Sequence, residues 1–194
     1  MKIFGIGAHK TGTTTLERCL AYLDFLPQAA WANSSFLTKN WAEADYAPII
    51  RFAKAFCSFS DSPWNHSDFY RLLDQQFPRS KFILTIRDDA SWFDSLRRWL
   101  TPEGSDKTSI SSLPFGVEYH SMNYGMTEDS FDDYEDHYRF IYNRRNFEIQ
   151  QYFSDRPSDL LVIDWTKAGW EELCGFLGSP IPDKPIPHLN KGRQ

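Results

Sequence analysis

The first 23 residues hold the pattern that most limits how this chain can fold. The apolar run Ile3–Ile6 is typical of a buried strand, and Gly7 begins a turn that continues to Gly12. Apolar residues at helical spacing come next: Leu16, Cys19, Leu20 and Leu23. A strand, a glycine-containing turn and a helix in this order direct backbone N–H groups and a helix N-terminus toward an anion. These residues therefore predict an α/β fold with an anion site after its first strand.

The turn has the spacing of a phosphate-binding loop but lacks one of its residues. Gly7 and Gly12 are separated by four residues, as in the loop G-x-x-x-x-G-K-[ST] of nucleoside triphosphatases. Thr13 occupies the lysine position of that pattern, and the nearest lysine is Lys10, inside the turn. We therefore expect the loop to hold a phosphate while the transferred group is not a phosphoryl.

Apolar strands alternate with helical stretches along the rest of the chain. Predicted strands cover residues 55–59, 82–86 and 160–163. Predicted helices cover residues 46–54, 69–77, 91–100, 131–153 and 170–177. This order predicts right-handed crossovers and a three-layer α/β domain of P-loop type, with a small parallel sheet flanked by helices. We expect residues 1–194 to form one domain in which residues 101–128 are a lid or long loop, whereas residues 27–41 carry no clear pattern.

Polar residues follow the predicted strands and should meet at one edge of the sheet. In open parallel sheets, ligands bind beyond the carboxyl ends of the strands. The segments delivered to that edge are residues 7–14, 60–63, 87–89 and 164–167. The sequence thus predicts a binding site built from four separate segments.

Composition limits the partners and the compartment. The net charge of -5 argues against broad nucleic-acid binding. The three cysteines Cys19, Cys57 and Cys174 lie far apart and suit reduced thiols, so we expect a cytoplasmic protein. The first predicted strand leaves no room for a signal peptide, and no apolar run approaches the length of a membrane span.

Several side chains at this edge have both a binding role and a plainer structural role open to them. Lys10 can contact a phosphate or remain solvated, and the run Thr13–Thr15 offers more hydroxyls than one helix cap needs. Arg87 can bind an anion or pair with the neighbouring Asp88 or Asp89. Ser95 on its own is an ordinary surface serine. Taken singly, none of these residues distinguishes a binding role from a structural one.

Taken together, they resemble the sulfotransferase family. The run Lys10–Leu16 resembles the 5′-phosphosulfate loop of that family. The strand Ile83–Ile86, followed by Arg87 and then Ser95, resembles the element that grips the 3′-phosphate of its donor. The stretches 169–178 and 185–190 are similar to the ending of a branch of sulfotransferase-like proteins. The resemblance touches both ends and the middle, about two thirds of the chain.

The resemblance implies the donor 3′-phosphoadenylyl sulfate (PAPS) as co-substrate, without a metal. It implies that Lys10 lies beside the bridging oxygen of the donor, where it stabilises the leaving phosphate, and that Arg87 and Ser95 bind the 3′-phosphate. The remaining expected donor contacts are His9, Thr11, Gly12, Thr13, Thr14 and Thr15. The basic segment of Lys191, Gly192 and Arg193 is similar to the one that closes over the same phosphate. Trp165 either borders the adenine or is a core residue.

A sulfotransferase needs a general base, which removes the proton of the acceptor as it attacks sulfur. We expect this base among the residues that follow the second core strand. Cytosolic members of the family have a histidine there, two residues before a proline, and this chain has Asp61 in that place. We therefore take Asp61 as the first candidate, His66 as the second and His9 as the third. Asp61 can equally well be a turn residue before Pro63.

The sequence leaves two other hypotheses about function open. A P-loop small-molecule kinase would use ATP and Mg²⁺ on the same loop, although the displaced lysine counts against it. A non-catalytic nucleotide-binding protein would keep the loop and lack the base. For a sulfotransferase we expect the acceptor to be a hydroxyl or amine of a small molecule or glycan, while the oligomeric state stays open.

Overall fold

A parallel sheet carries the architecture of the computed structural model, which describes residues 1–100, 116–126 and 134–187. Within those residues its five strands are β1 (Ile3–Gly5), β2 (Gln28–Ala29), β3 (Ser58–Phe59), β4 (Lys81–Thr85) and β5 (Leu160–Ile163). Their order is β2-β3-β1-β4-β5, so the first strand lies in the middle. Phe4 on β1 pairs in register with Phe59 on one side and Phe82 on the other.

Helices cover the described sequence between the strands. They are α1 (Thr13–Tyr22), α2 (Trp31–Ser34), α3 (Thr38–Ala42), α4 (Tyr46–Ala53), α5 (Phe69–Gln76), α6 (Asp89–Leu100), α7 (Gly116–Tyr124), α8 (Glu135–Tyr152) and α9 (Trp170–Leu177). A short 3₁₀ turn, Ser35–Leu37, joins α2 to α3. None of these helices has the length and apolar character needed to cross a bilayer.

The two faces of the sheet carry different side chains because successive residues of a strand point to opposite sides. Ile3 and Ile83 pack with α1 and α9 on one face. Phe4 and Phe82 pack on the other face, against apolar side chains of α4, α5 and α8. Helices therefore cover both faces of the parallel sheet, and the predicted three-layer α/β fold is confirmed.

Three local predictions differ from the structure. The predicted strand 55–59 shrinks to Ser58–Phe59, because the N–H groups of Ala55 and Phe56 bond back to the end of α4. The two-residue strand β2 lies in the stretch without a predicted structure, where it is too short to show a period. Helix α7 occupies part of the predicted lid, whose residues 101–115 and 127–128 lie outside the described residues.

Candidate active site

A cleft of about 700 Å³ opens above the carboxyl ends of the strands, beside the N-terminus of α1. It brings together most of the site residues that the sequence predicts. They are His9, Lys10, Thr11, Gly12, Thr13, Thr14, Thr15, Asp61, Arg87, Ser95 and Trp165. His66 does not line this cleft, and Lys191, Gly192 and Arg193 lie outside the described residues. The predicted meeting of four strand ends is therefore what the structure shows.

The backbone of the loop before α1 depends on its two glycines. A Cβ atom on Gly7 would collide with Thr85, so only glycine lets the chain leave β1 this close to β4. Gly12 has a φ of +94°, and a Cβ atom there would overlap the indole of Trp165. The Thr11 hydroxyl donates to the Ala8 carbonyl at 2.6 Å and also bonds to the Thr85 hydroxyl. The Thr11 hydroxyl therefore stabilises the loop from within. The backbone of the loop remains available to a ligand.

Lys10 is partly buried in the cleft, so its ammonium group loses part of its hydration. Its backbone has a φ of +70°, and its ammonium group lies 5.4 Å from the centre of the Trp99 ring. Burial lowers the pKa of Lys10, Asp61 opposes that change, and Arg87 and Arg98 add to it. A bound anion would compensate for both the burial and the two neighbouring cations.

Arg87 follows β4 and is positioned by its main chain. The Tyr142 hydroxyl accepts from the Arg87 N–H at 2.9 Å and donates to the Arg87 carbonyl at 3.0 Å. The Tyr142 ring stacks on Trp92, with ring centres 4.2 Å apart, and the Trp92 indole donates to the His9 carbonyl. This aromatic pair therefore ties the Arg87 segment to the phosphate loop.

The guanidinium of Arg87 does not form the salt bridge with Asp88 or Asp89 that was the alternative to anion binding. Asp88 accepts from the N–H of Ser91, and Asp89 pairs with Arg139 at 3.1 Å. Arg87 itself donates from Nε to the Ser91 hydroxyl and makes no ion pair with the residues described. A cationic fork in a cleft without a carboxylate partner is suited to a phosphate.

Asp61 is fixed by two neighbours and faces a third. His9 Nδ1 lies 2.7 Å from Asp61 Oδ1, and the Ser62 N–H donates to the same oxygen at 2.9 Å. The Thr13 hydroxyl lies 3.5 Å from the other oxygen, Oδ2. Burial alone would raise the pKa of Asp61, but the charge of His9 and the hydrogen bonds from His9 and Ser62 hold it below its ordinary value. Asp61 is thus an ionised carboxylate with one oxygen near the first turn of α1.

His66 lies behind this carboxylate and not beside the cleft. It is 1% exposed, its Nε2 lies 2.7 Å from the Ser62 hydroxyl, and the edge of its ring meets Trp41. The same hydroxyl lies 3.2 Å from His9 Nε2. Burial and the charge of His9 keep the pKa of His66 well below its usual value. His66 is therefore a support for His9 and does not reach an acceptor in the cleft.

The comparison with known proteins agrees with this geometry. A family model for the sulfotransferase domain matches residues 2–194. The chain belongs to the sulfotransferase domain family. It is also similar to the Ava biosynthesis cluster protein M of Aspergillus versicolor, at 24% identity over 223 aligned residues that cover 97% of this chain and 80% of that protein.

Two further contacts of the sulfotransferase domain bear on predicted residues. Trp165 lies against Gly12 and lines the cleft, so it forms a wall of the phosphate loop. The Thr15 hydroxyl donates to the Pro187 carbonyl at 3.1 Å. That bond anchors the chain just before residues 188–194 against the first turn of α1.

Sequence reasoning missed several side chains that line the cleft of this sulfotransferase domain. They are Glu17, Trp31 and Trp99. Glu17 lies one helical turn after Thr13, and this spacing could have revealed it. Trp31 follows β2, which the sequence pattern does not show, so no signal placed it at the rim.

Proposed function

We propose that this chain is a PAPS-dependent sulfotransferase that moves a sulfuryl group to a hydroxyl or amine of a small-molecule or glycan acceptor. One observation carries the proposal. Lys10, Arg87 and Ser95 share a single cleft with the N-terminus of α1, although they come from different segments of the chain. This combination suits a donor with one anionic group at the 5′ end and another at the 3′ position.

The residues present fit such a donor. The first-turn N–H groups of α1 have no partner within the helix and can bind the 5′ phosphosulfate. Gly12, at a φ of +94°, lets the Trp165 indole pack directly against the loop, where a Cβ atom would not fit. Arg87 and Ser95 would bind the 3′-phosphate, and Trp165 would border the adenine.

Lys10 and Asp61 have opposite tasks in the proposed transfer. When bound, the donor supplies the sulfuryl group and a phosphate leaving group of low basicity. Lys10 and the loop amides supply positive potential for the charge that develops as the sulfur–oxygen bond to that phosphate breaks. Asp61 accepts the proton that the acceptor loses as its oxygen or nitrogen bonds to sulfur.

His9 positions the proposed general base, Asp61, and does not itself take the proton of the acceptor. Its ring joins Asp61 to Ser62, and Ser62 joins it to the buried His66. This chain of contacts holds Asp61 Oδ1, so that Oδ2 is the oxygen left to take the proton. The third candidate for the base is thereby reassigned to a positioning role.

The three cysteines support a reducing compartment for this enzyme. Cys19, Cys57 and Cys174 are all free thiols. Free, partly buried thiols are typical of cytosolic proteins. We therefore propose that the protein works in the cytoplasm.

Calorimetric titration with adenosine 3′,5′-bisphosphate tests the donor assignment. We expect tight binding that does not depend on magnesium, because arginine, serine and backbone amides make the proposed contacts. ATP is the matched control, titrated with and without Mg²⁺. A preference for ATP with magnesium would reject the sulfotransferase proposal in favour of a kinase.

A second experiment separates an enzyme from a binding protein that has lost its base. Asp61→Asn keeps the shape of the side chain and removes its charge. We expect this variant to bind the bisphosphate normally and to lose transfer activity. Unchanged activity would remove Asp61 from the mechanism.

A further inference from the structure

The strand order divides the cleft into two sides, one on each side of the central strand β1. Arg87 follows β4 and Trp165 follows β5, on one side of the central strand β1. Asp61 follows β3 and Trp31 follows β2, on the other side. Arg87 and Trp165, two of the proposed donor contacts, lie on the side of β4 and β5, which leaves the side of Asp61 and Trp31 for the acceptor.

Glu17 belongs to the acceptor side. Its main-chain carbonyl accepts from the Gln28 side chain at 2.8 Å, which places this turn of α1 next to β2. Its carboxyl group lines the cleft, half-buried, and is close enough to Asp61 for the two charges to repel. Burial and that repulsion raise the pKa of Glu17, against the opposing effect of Arg18.

Glu17 differs from the other carboxylates of the cleft in lacking a partner. Asp61 is bonded to His9, and Asp164 is bonded to Thr166 and Lys167. Across residues 1–100, 116–126 and 134–187, the Glu17 carboxyl group makes no hydrogen bond or ion pair. A half-buried carboxylate without a partner is unfavourable by itself, and more so beside an anionic donor.

We propose that Glu17 determines acceptor specificity by binding a protonated amine of the acceptor. The acceptor is then a hydroxyl compound that also carries an ammonium group. Trp31, 40% exposed, lines the same cleft, and an aromatic ring beside a bound ammonium group would add a cation–π contact. The ammonium keeps its protons at Glu17, while the acceptor hydroxyl loses its proton to Asp61. This inference rests on the proposed function for its acceptor, but not for the binding of the cation.

Two alcohols of the same shape test the role of Glu17. The probes are 4-(aminomethyl)benzyl alcohol and 4-ethylbenzyl alcohol, which share a ring and a hydroxyl and differ by an ammonium group in place of a methyl group. Each is titrated calorimetrically into the protein saturated with adenosine 3′,5′-bisphosphate. We expect the ammonium probe to bind about tenfold more tightly, a difference typical of one partly desolvated charge pair.

Glu17→Gln keeps the size of the side chain and should reduce that preference to less than about twofold. Glu43→Gln removes the same charge from an exposed ion pair outside the cleft, and it should leave the preference unchanged. Equal affinity for the two probes, binding of neither, or an unchanged preference in Glu17→Gln would each overturn the proposal. If the bisphosphate itself does not bind, the proposed function fails, and the same titrations on the free protein still decide the role of Glu17.

Discussion

The two sides of the cleft are built in different ways. The proposed donor side begins with a continuous strand, loop and helix, in which Gly7 and Gly12 permit close backbone contacts. The acceptor side joins distant segments through side chains, from Asp61 to His9, Ser62 and His66. Backbone geometry therefore shapes the proposed anion site, while a buried polar network shapes the region of the proposed base. Substitutions on the two sides should have different signatures.

Lys10→Ala should give the largest effect on the donor side. Removing a preorganised charge at a leaving group costs about 10²–10³ in rate, and affinity for the bisphosphate should fall far less. Single-turnover kinetics and calorimetry on the same variant measure the two quantities. Equal losses in rate and affinity would place Lys10 in ground-state binding only.

Arg87→Ala should act mainly on affinity. Loss of charge-assisted hydrogen bonds to the 3′-phosphate should weaken bisphosphate binding by about 10–100-fold. Arg97→Ala is the matched control, because Arg97 pairs with Asp94 on an exposed part of α6. If Arg87→Ala bound the bisphosphate as the unaltered protein does, the assigned donor site would be wrong.

Gly12→Ala should destabilise the fold through the loop itself. The variant places a Cβ atom at a φ of +94° and against Trp165, so we expect a loss of about 2 kcal/mol in the free energy of unfolding. Gly175→Ala is the control, because a Cβ atom there meets nothing within 4 Å and the residue lies in α9. Chemical denaturation should show a neutral or slightly stabilising effect for the control and a clear loss for Gly12→Ala.

The polar network on the acceptor side should make stability depend on pH. The folded protein keeps His66 neutral at pH values where the unfolded chain, with an ordinary pKa of 6.5, takes up a proton. Stability is therefore constant above that value and falls as the pH drops below it, by at most about 1.4 kcal/mol per pH unit for this one group. The pKa of Asp61 is lowered in the folded protein, so this group reduces the free energy of unfolding only below pH 3.8, its ordinary pKa.

Denaturation curves between pH 7 and pH 5 check this effect. His66→Gln should flatten the dependence in that range, since glutamine does not titrate. His137→Gln is the control, because His137 contacts the Tyr124 carbonyl away from this network. A pH dependence that survives in His66→Gln would assign it to other groups.

The success of sequence reasoning followed the length of the local pattern. The apolar strands before Gly7 and Arg87 and the helix after Gly12 belong to patterns that run over several consecutive residues, and all appear where expected. The two-residue strand β2 and the helix α7 carry little pattern, and both were missed. For Ala55–Cys57, apolar composition favoured a strand, but hydrogen bonds at the end of α4 and to Pro27 use the N–H groups of this segment.

The sequence by itself predicted the glycine loop, the parallel sheet and the cationic residues Lys10 and Arg87 that line the cleft. Those features depend on contiguous residues, whose backbone freedom and spacing are visible in the chain. Only the tertiary structure decided that His9 holds Asp61, that His66 lies behind both, and that Glu17 and Trp31 share the opposite side of the cleft. Parallel strands connected by long crossovers bring these residues together, and the contacts of His9 with Asp61 and Ser62 span too many residues to leave a local pattern.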